Sequence, residues 1–442
     1  MATLGVTMHQ SIRTLGITLQ RTGLALLFSV STLVYTQAVH AQSAERNLAL
    51  VAPEEVGISS SGLAAFNAGM HAEVDKGNLA GIVTMVAREG KLVQLDSYGY
   101  QDLENQVPMA DDTIFRIFSM TKPVTGVALM ILLEEGKFSL DDPVEKFIPE
   151  FTNLKVAKED GPNGIPITEE PHHKMTMREL MSHTGGLTYG AFSRSQVDTM
   201  YGQVNVLDGN STLKDMIDKL AQIPLRQQPG SAWHYSVSVD VQGYVVEVLS
   251  GQSFDDFLQE RIFAPLGMVD TRFYVGQEKA DRFSREYTSG PNGLSSPENE
   301  AFIEPTPFLS GGGGLTSTAS DYMKFAQMLG NGGELNGVRI LTQESVDQMR
   351  ANQLPGGMTE IPGYAGNAFG LDFAVVMDPS KNGGMSEGSY WWWGIAGSWF
   401  WVDPVEDLVF VGMIQNRNLG YARQLQLMSK ELLYATITES KK

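Results

Sequence analysis

Ser119-Met120-Thr121-Lys122 constrains this 442-residue chain more than any other stretch. Ser-x-x-Lys sets a hydroxyl and an amine three positions apart, on one face of a helix. Held there, the amine can take the proton from a serine that is otherwise too weak a nucleophile. The surroundings fit that role. Thr113 to Phe118, β-branched and aromatic, read as extended chain. Pro123 to Leu133 read as an apolar, buried helix, with Pro123 in its first turn where a missing N–H costs little. A serine at such a helix start has main-chain N–H groups and the positive end of the helix dipole beside it. A second match, Ser211-Thr212-Leu213-Lys214, opens an amphipathic surface pattern (Leu213, Met216, Ile217, Leu220). There Ser211 is expected to be an N-cap and Lys214 to lie in solvent.

The chain has 42% hydrophobic residues, enough for a large core in one or two domains. Residues 1–41 hold no acidic residue; Arg13 and Arg21 precede the apolar run Leu24 to Val34, and Val39-His40-Ala41 offers small residues at −3 and −1. This predicts a secretory signal peptide cut before Gln42 and a periplasmic or secreted protein with no membrane anchor after cleavage. The formal charge is −19, and loss of the leader removes two positive charges more. So acidic a surface repels nucleic acid and anionic lipid. There is no cysteine, so the chain forms no disulfide and no zinc–thiolate site. No metal or other cofactor is expected, and the sequence specifies no oligomeric state.

Ile82 to Ala87 and Lys91 to Leu95, joined by Arg88-Glu89-Gly90, predict a β-hairpin. Residues 120–270 are mainly helical in pattern, including Met177 to Met181 and Val241 to Leu249. Strands return at Phe369 to Val376, Ser398 to Val402 and Leu408 to Ile414, before an amphipathic helix near 420–436. Strands at both ends with helices between imply one sheet built from distant segments and a cleft beside an inserted helical part. The predicted division is a sheet subdomain at about 42–118 and 310–442, and a helical subdomain at about 119–309. Acyl transfer also needs a second proton carrier and an oxyanion hole. Tyr235, in the turn Pro229 to Ser236 that leads into a helix, is the best carrier candidate.

Taken in order, these segments resemble the serine β-lactamase and penicillin-binding-protein superfamily, in particular the class C β-lactamases and family VIII carboxylesterases. The resemblance rests on Ser119 to Lys122, Ser182-His183-Thr184-Gly185-Gly186-Leu187, residues 229–236, Arg261 to Met268 and Gly312 to Thr318. It spans roughly residues 50–435. It implies an α+β fold of the β-lactamase/transpeptidase type, an antiparallel sheet flanked by helices with an inserted helical subdomain. By position it makes Ser119 the nucleophile, Lys122 its partner and Tyr235 a base and later acid. Lys122 and Tyr235 both stay open as the first base. The family's Lys-Thr-Gly strand falls on Trp393-Gly394-Ile395, and the N–H groups of Ala396 and Ser119 would form the oxyanion hole.

Two departures bear on substrate. Val237 stands where β-lactamases of this class carry an asparagine that grips an amide, and Trp393 stands where a lysine holds a carboxylate. The carboxylesterases share these replacements. The sequence therefore points to a small-molecule ester substrate. The alternatives are a β-lactamase or D-amino-acid peptidase, and a non-catalytic penicillin-recognising protein. Other features tempt less. Gly384-Met385-Ser386-Glu387-Gly388 mimics a hydrolase elbow, but no histidine follows residue 234. His172-His173 reads as a polar loop, His183 as a loop-ordering hydrogen-bond residue, and His234 as turned from Tyr235. Of the tryptophans at 391–401, Trp393 is the expected cleft residue. Gly311 to Gly314 is no phosphate loop and lets the chain turn close to the site.

Overall fold

The computed structural model describes residues 48–191, 194–290, 293–296 and 302–442. The predicted leader, 1–41, lies outside the described residues. The hairpin forms as Gly81–Arg88 (β1) and Lys91–Asp102 (β2). Glu89 and Gly90 both take positive φ, 54° and 72°. That is the two-residue turn whose twist matches that of the flanking strands. Val107–Pro108 (β3) follows, and the remaining strands come from the far end of the chain. They are Asn367–Phe369 (β4), Ala374–Val376 (β5), Tyr390–Trp393 (β6), Trp399–Asp403 (β7) and Leu408–Met413 (β8). All pair antiparallel in the order β4-β5-β6-β7-β8-β1-β2-β3. The pairing of β1 with β8, Val83 opposite Met413, closes one sheet from distant segments, as the sequence predicted.

Both faces of the sheet centre are covered, so β1 and β8 are buried at every residue. Alternation on β7 shows what covers them. Trp399 and Trp401 face the C-terminal helix Leu419–Tyr434 (α4): Trp399 Nε1 donates to Ser429 Oγ, and Trp401 stacks on Tyr434. Phe400 faces the other way and meets Tyr322 of Ala319–Gly330 (α3). Trp401 also stacks on Phe410 of β8 at 4.1 Å, a geometry worth about 0.5–1.5 kcal/mol beyond its burial.

One expected strand, Phe369 to Val376, is instead two. The chain reverses between β4 and β5, with Asp372 at φ 68°. Gly370 is the reason the turn fits: a Cβ there would sit 2.0 Å from the Met349 carbonyl oxygen. Ser211 is likewise not the cap of its helix. Thr212 caps Leu213–Leu220 in a reciprocal box with Asp215, while Ser211 Oγ donates to the Asp208 carbonyl. Threonine three residues before an acidic side chain satisfies two orphan N–H groups, which Ser211 cannot match. Lys214 is exposed and paired with Asp218 and Glu150.

The predicted apolar helix is Thr121–Glu134 (α1), buried on all sides from Thr121 to Leu132. It packs on Ser238–Ser250 (α2), which starts just beyond Tyr235. Two buried helices side by side thus carry the serine, lysine and tyrosine segments to one place. No helix among the described residues is long and apolar enough to cross a membrane.

Candidate active site

Ser119 sits in a short 3-10 turn, Phe118–Met120, that feeds α1. Phe118 holds φ 42°, a conformation that costs an aromatic residue energy and must be imposed by its surroundings. The Arg417 guanidinium, 4.7 Å from its ring centroid, and the Phe302 ring clamp it. Arg417 is anchored in turn by Glu286. The result presents Ser119 at the start of the helix, half-buried, one turn before Lys122.

Lys122 is fully buried, and its ammonium nitrogen lies 3.2 Å from Ser119 Oγ. It also contacts Tyr189 Oη at 2.9 Å and donates to the Gly312 carbonyl at 2.6 Å. Tyr235 hydrogen-bonds Ser119 through its hydroxyl, and its ring centroid is 4.6 Å from Lys122 Nζ. The three residues singled out in the sequence therefore form one hydrogen-bonded group.

Burial pushes Lys122 down to about 8, against the opposing pull of Asp240 and Asp372. Burial pushes the Tyr235 phenol well above its ordinary value. Both shifts follow from desolvation disfavouring the charged form. At neutral pH the phenol keeps its proton, and the amine is the group nearer to titrating.

Other members of the site were not legible beforehand. Asp240 on α2 is buried; it accepts from the Gly312 N–H at 3.0 Å and from the Ser310 hydroxyl. This pins the glycine-rich turn so that the Gly312 carbonyl meets Lys122. A Cβ at Gly312 would fall 2.5 Å from Asp240 Oδ2, so the turn needs glycine there. Asp372, fully buried, accepts from Gln242 at 2.9 Å, and a Cβ on Gly126 would lie 2.8 Å from its Oδ2. Burial holds its carboxyl well above the usual range. Tyr189 carried no spacing signal, since its partner is 67 residues away.

The substrate-side residues need re-sorting. Trp393 lines the cleft, but the indole that meets the tyrosine is Trp392, whose Nε1 donates to Tyr235 Oη at 3.3 Å. The Trp393 indole bonds Tyr364 instead. Strand alternation sends these neighbours to different partners, so Trp392 meets Tyr235 and Trp393 meets Tyr364, while both line the cleft. Gly394 packs on the chain just before Ser119: a Cβ there would be 2.3 Å from the Ile117 carbonyl oxygen. Ile395 lines the cleft. Ala396 is fully buried outside the lining, its carbonyl accepting from the Asn416 N–H. Val237 is also fully buried, part of the hydrophobic core and not of the cleft wall, because a valine gains nothing from facing a polar group.

The remaining candidates resolve simply. Ser386 Oγ donates to Asp403 in a buried loop. His173 pairs with Glu179 at the surface. His183 Nδ1 bonds Ser236 Oγ at 3.1 Å and holds the segment after Tyr235. His234 bonds Thr188 and Arg226. Among the described residues no group of three acidic, histidine or cysteine side chains could hold a metal.

The cleft above Ser119 measures about 570 Å³. Its walls are chiefly Phe118, Leu207, Trp233, Trp392, Trp393 and Ile395. That volume suits a small organic molecule, and so apolar a lining favours an uncharged one.

The Beta-lactamase family model matches residues 65–427. The chain belongs to that family, within the serine β-lactamase/transpeptidase superfamily. It is 35% identical to protein Rv1367c of Mycobacterium tuberculosis over 355 residues, 77% of this chain and 87% of the relative. It is 30% identical to esterase EstB of Burkholderia gladioli over 383 residues, 81% and 91% of the two chains. Among solved structures, EstCE1, a hydrolase with promiscuous acyltransferase activity, superposes with a TM-score of 0.72 at 26% identity, covering 85% of this chain and 99% of its own. The fold is thus of the β-lactamase/transpeptidase type, and esterases among the relatives support hydrolase chemistry.

Proposed function

We propose that this protein hydrolyses carboxylic esters of small apolar molecules through an acyl-enzyme on Ser119. The observation that carries this reading is the bonded group Ser119–Lys122–Tyr235 opening onto an aromatic cleft. The similarity to esterase EstB and to the hydrolase EstCE1 agrees with it.

Lys122, as a free amine, takes the Ser119 proton while Oγ attacks the ester carbonyl carbon. As a neutral amine it still donates to the Gly312 carbonyl and can accept from Ser119. The oxyanion is met by the Ser119 N–H and a main-chain N–H of the Gly394–Ala396 turn. Tyr235, protonated, gives its proton to the departing alkoxide and is re-protonated from Lys122. Water then attacks the acyl-enzyme, and the same groups run in reverse. The Trp392 N–H on the Tyr235 oxygen stabilises the phenolate that forms in passing.

A family lysine at the position of Trp393 would hold an anionic substrate; an indole offers only one N–H and a large apolar face. This favours esters over β-lactams. Turnover of p-nitrophenyl butyrate and of nitrocefin, by wild type and Ser119→Ala, tests it. Ester cleavage lost in Ser119→Ala, with nitrocefin hydrolysed at least about a hundred-fold less efficiently, is expected. Comparable nitrocefin turnover would sink the ester reading. The basic, then apolar leader supports export; N-terminal sequencing of the mature protein should begin at Gln42.

A further inference from the structure

Behind the aromatic wall of the catalytic cleft lies a second cavity of about 480 Å³. Tyr364, Trp393 and Leu419 line both spaces. Its far side is α4. Gln426 and Lys430 stand four positions apart on that helix, hence on one face, and both line the cavity. They are 7% and 5% exposed. Gln426 Nε2 has no hydrogen-bond partner. Lys430 has no carboxylate beside it among the described residues; its ammonium lies 4.5 Å from the Trp391 ring centroid.

The neighbouring cations are engaged elsewhere. Lys381 pairs with Glu360 at 3.3 Å and Asp378 at 3.6 Å. Arg423 donates to the Gly363 carbonyl at 2.9 Å and lies over the Tyr364 ring. Lys430 is thus a buried ammonium without a counter-charge, in a chain with 51 acidic and 32 basic residues. Such a group is costly to keep unless something neutralises it. Burial, with Arg423 nearby, lowers it to about 7, so it is partly charged near neutral pH and a bound anion would favour the charged form. Trp391, Trp393, Leu419 and Leu427 supply the apolar part of the wall, beside the polar Asn367 and Asn382.

We propose that this cavity binds a small organic carboxylate, its charged end on Lys430 and Gln426 and its apolar body against Trp391 and Trp393. The Lys430 ammonium and the unpartnered Gln426 amide N–H, with the Arg423 guanidinium also on the wall, match a small molecule with a single carboxylate. A phosphate dianion would need more donors, and a bare ion would leave the apolar walls unfilled. The site is separate from Ser119 and does not depend on the ester reading.

Trp391 and Trp393 supply the signal for a direct test. Wild type and Lys430→Met are titrated with phenylacetate, phenylacetamide and inorganic phosphate while tryptophan fluorescence is followed. The expected result is saturable quenching by phenylacetate, with phenylacetamide and phosphate at least about tenfold weaker. Lys430→Met should weaken phenylacetate about tenfold or more, while its cooperative thermal unfolding and any p-nitrophenyl butyrate turnover match wild type. Equal affinity for acid and amide, tighter phosphate, no saturation, or unchanged affinity in Lys430→Met would each overturn the proposal. Lys430-dependent binding in a protein that cleaves no ester would keep this site and defeat the esterase reading alone.

Discussion

Lys122 shows how one buried residue sets the behaviour of the site. Its amine sits among a serine, a tyrosine and a carbonyl, and burial brings it to about 8. In the proposed mechanism the active form is the free amine, which accumulates as pH rises through that value. The expected kcat/KM for p-nitrophenyl butyrate therefore climbs about tenfold per pH unit below about 8 and levels above it. A profile flat from about pH 6 to 9 would remove Lys122 as the base. Lys122→Arg keeps the positive charge but cannot release its proton. It should lose about a thousand-fold in kcat, with no recovery at high pH. Tyr235 titrates too far up to give the rising limb, so Tyr235→Phe should lower the rate without moving the midpoint.

At the scale of elements, the site is a meeting of β6 and its turn with the start of α1. Gly394 decides how closely they meet, because any side chain there would strike the Ile117 carbonyl. Gly394→Ala should push the turn proposed to meet the oxyanion away from Ser119 and cost about ten- to a hundred-fold in kcat. Its thermal midpoint should fall far less than a core cavity would cause. Unchanged kcat in a folded Gly394→Ala would show that the turn does not serve the reaction. In the segment 391–401, Trp393 lines the cleft as expected, and Trp392 joins it. Trp391, Trp392 and Trp393 are chemically alike, so nothing local tells which indole faces Tyr235; only pairing with β7 fixes that phase.

The whole molecule is tied together by Arg88, at the hairpin turn. Its guanidinium makes a buried ion pair with Glu406 at 2.8 Å and donates to the carbonyls of Val56, Gly57, Glu406 and Glu439. Both ends of the described chain and two strand turns thus meet on one side chain. Removing it would leave Glu406 buried without its ion-pair partner, a loss of about 3–5 kcal/mol. Arg88→Met should lower the thermal midpoint by about four to six degrees while leaving kcat at low temperature unchanged, because the cluster lies away from Ser119. A midpoint within about two degrees of wild type would mean that the cluster adds little to stability.

The sequence by itself determined the pairing of Ser119 with Lys122, the helix after it, the hairpin and the closing of one sheet from both chain ends. Those features are local: a spacing of three, an apolar run and a two-residue turn are set by backbone geometry within a few residues. Tyr235 was legible only through the order of several weak segments along the chain. The tertiary structure alone decided that Asp240 clamps the Gly312 turn, that Asp372 lies beneath Gly126, that Trp392 meets Tyr235 and that Val237 is core. Each of these contacts joins residues 72 to 246 positions apart or depends on the phase of a strand, and no local pattern encodes either. The uncompensated charge of Lys430 belongs to the same class. In the sequence it is one lysine on an amphipathic helix, and only packing against Trp391 takes it out of water.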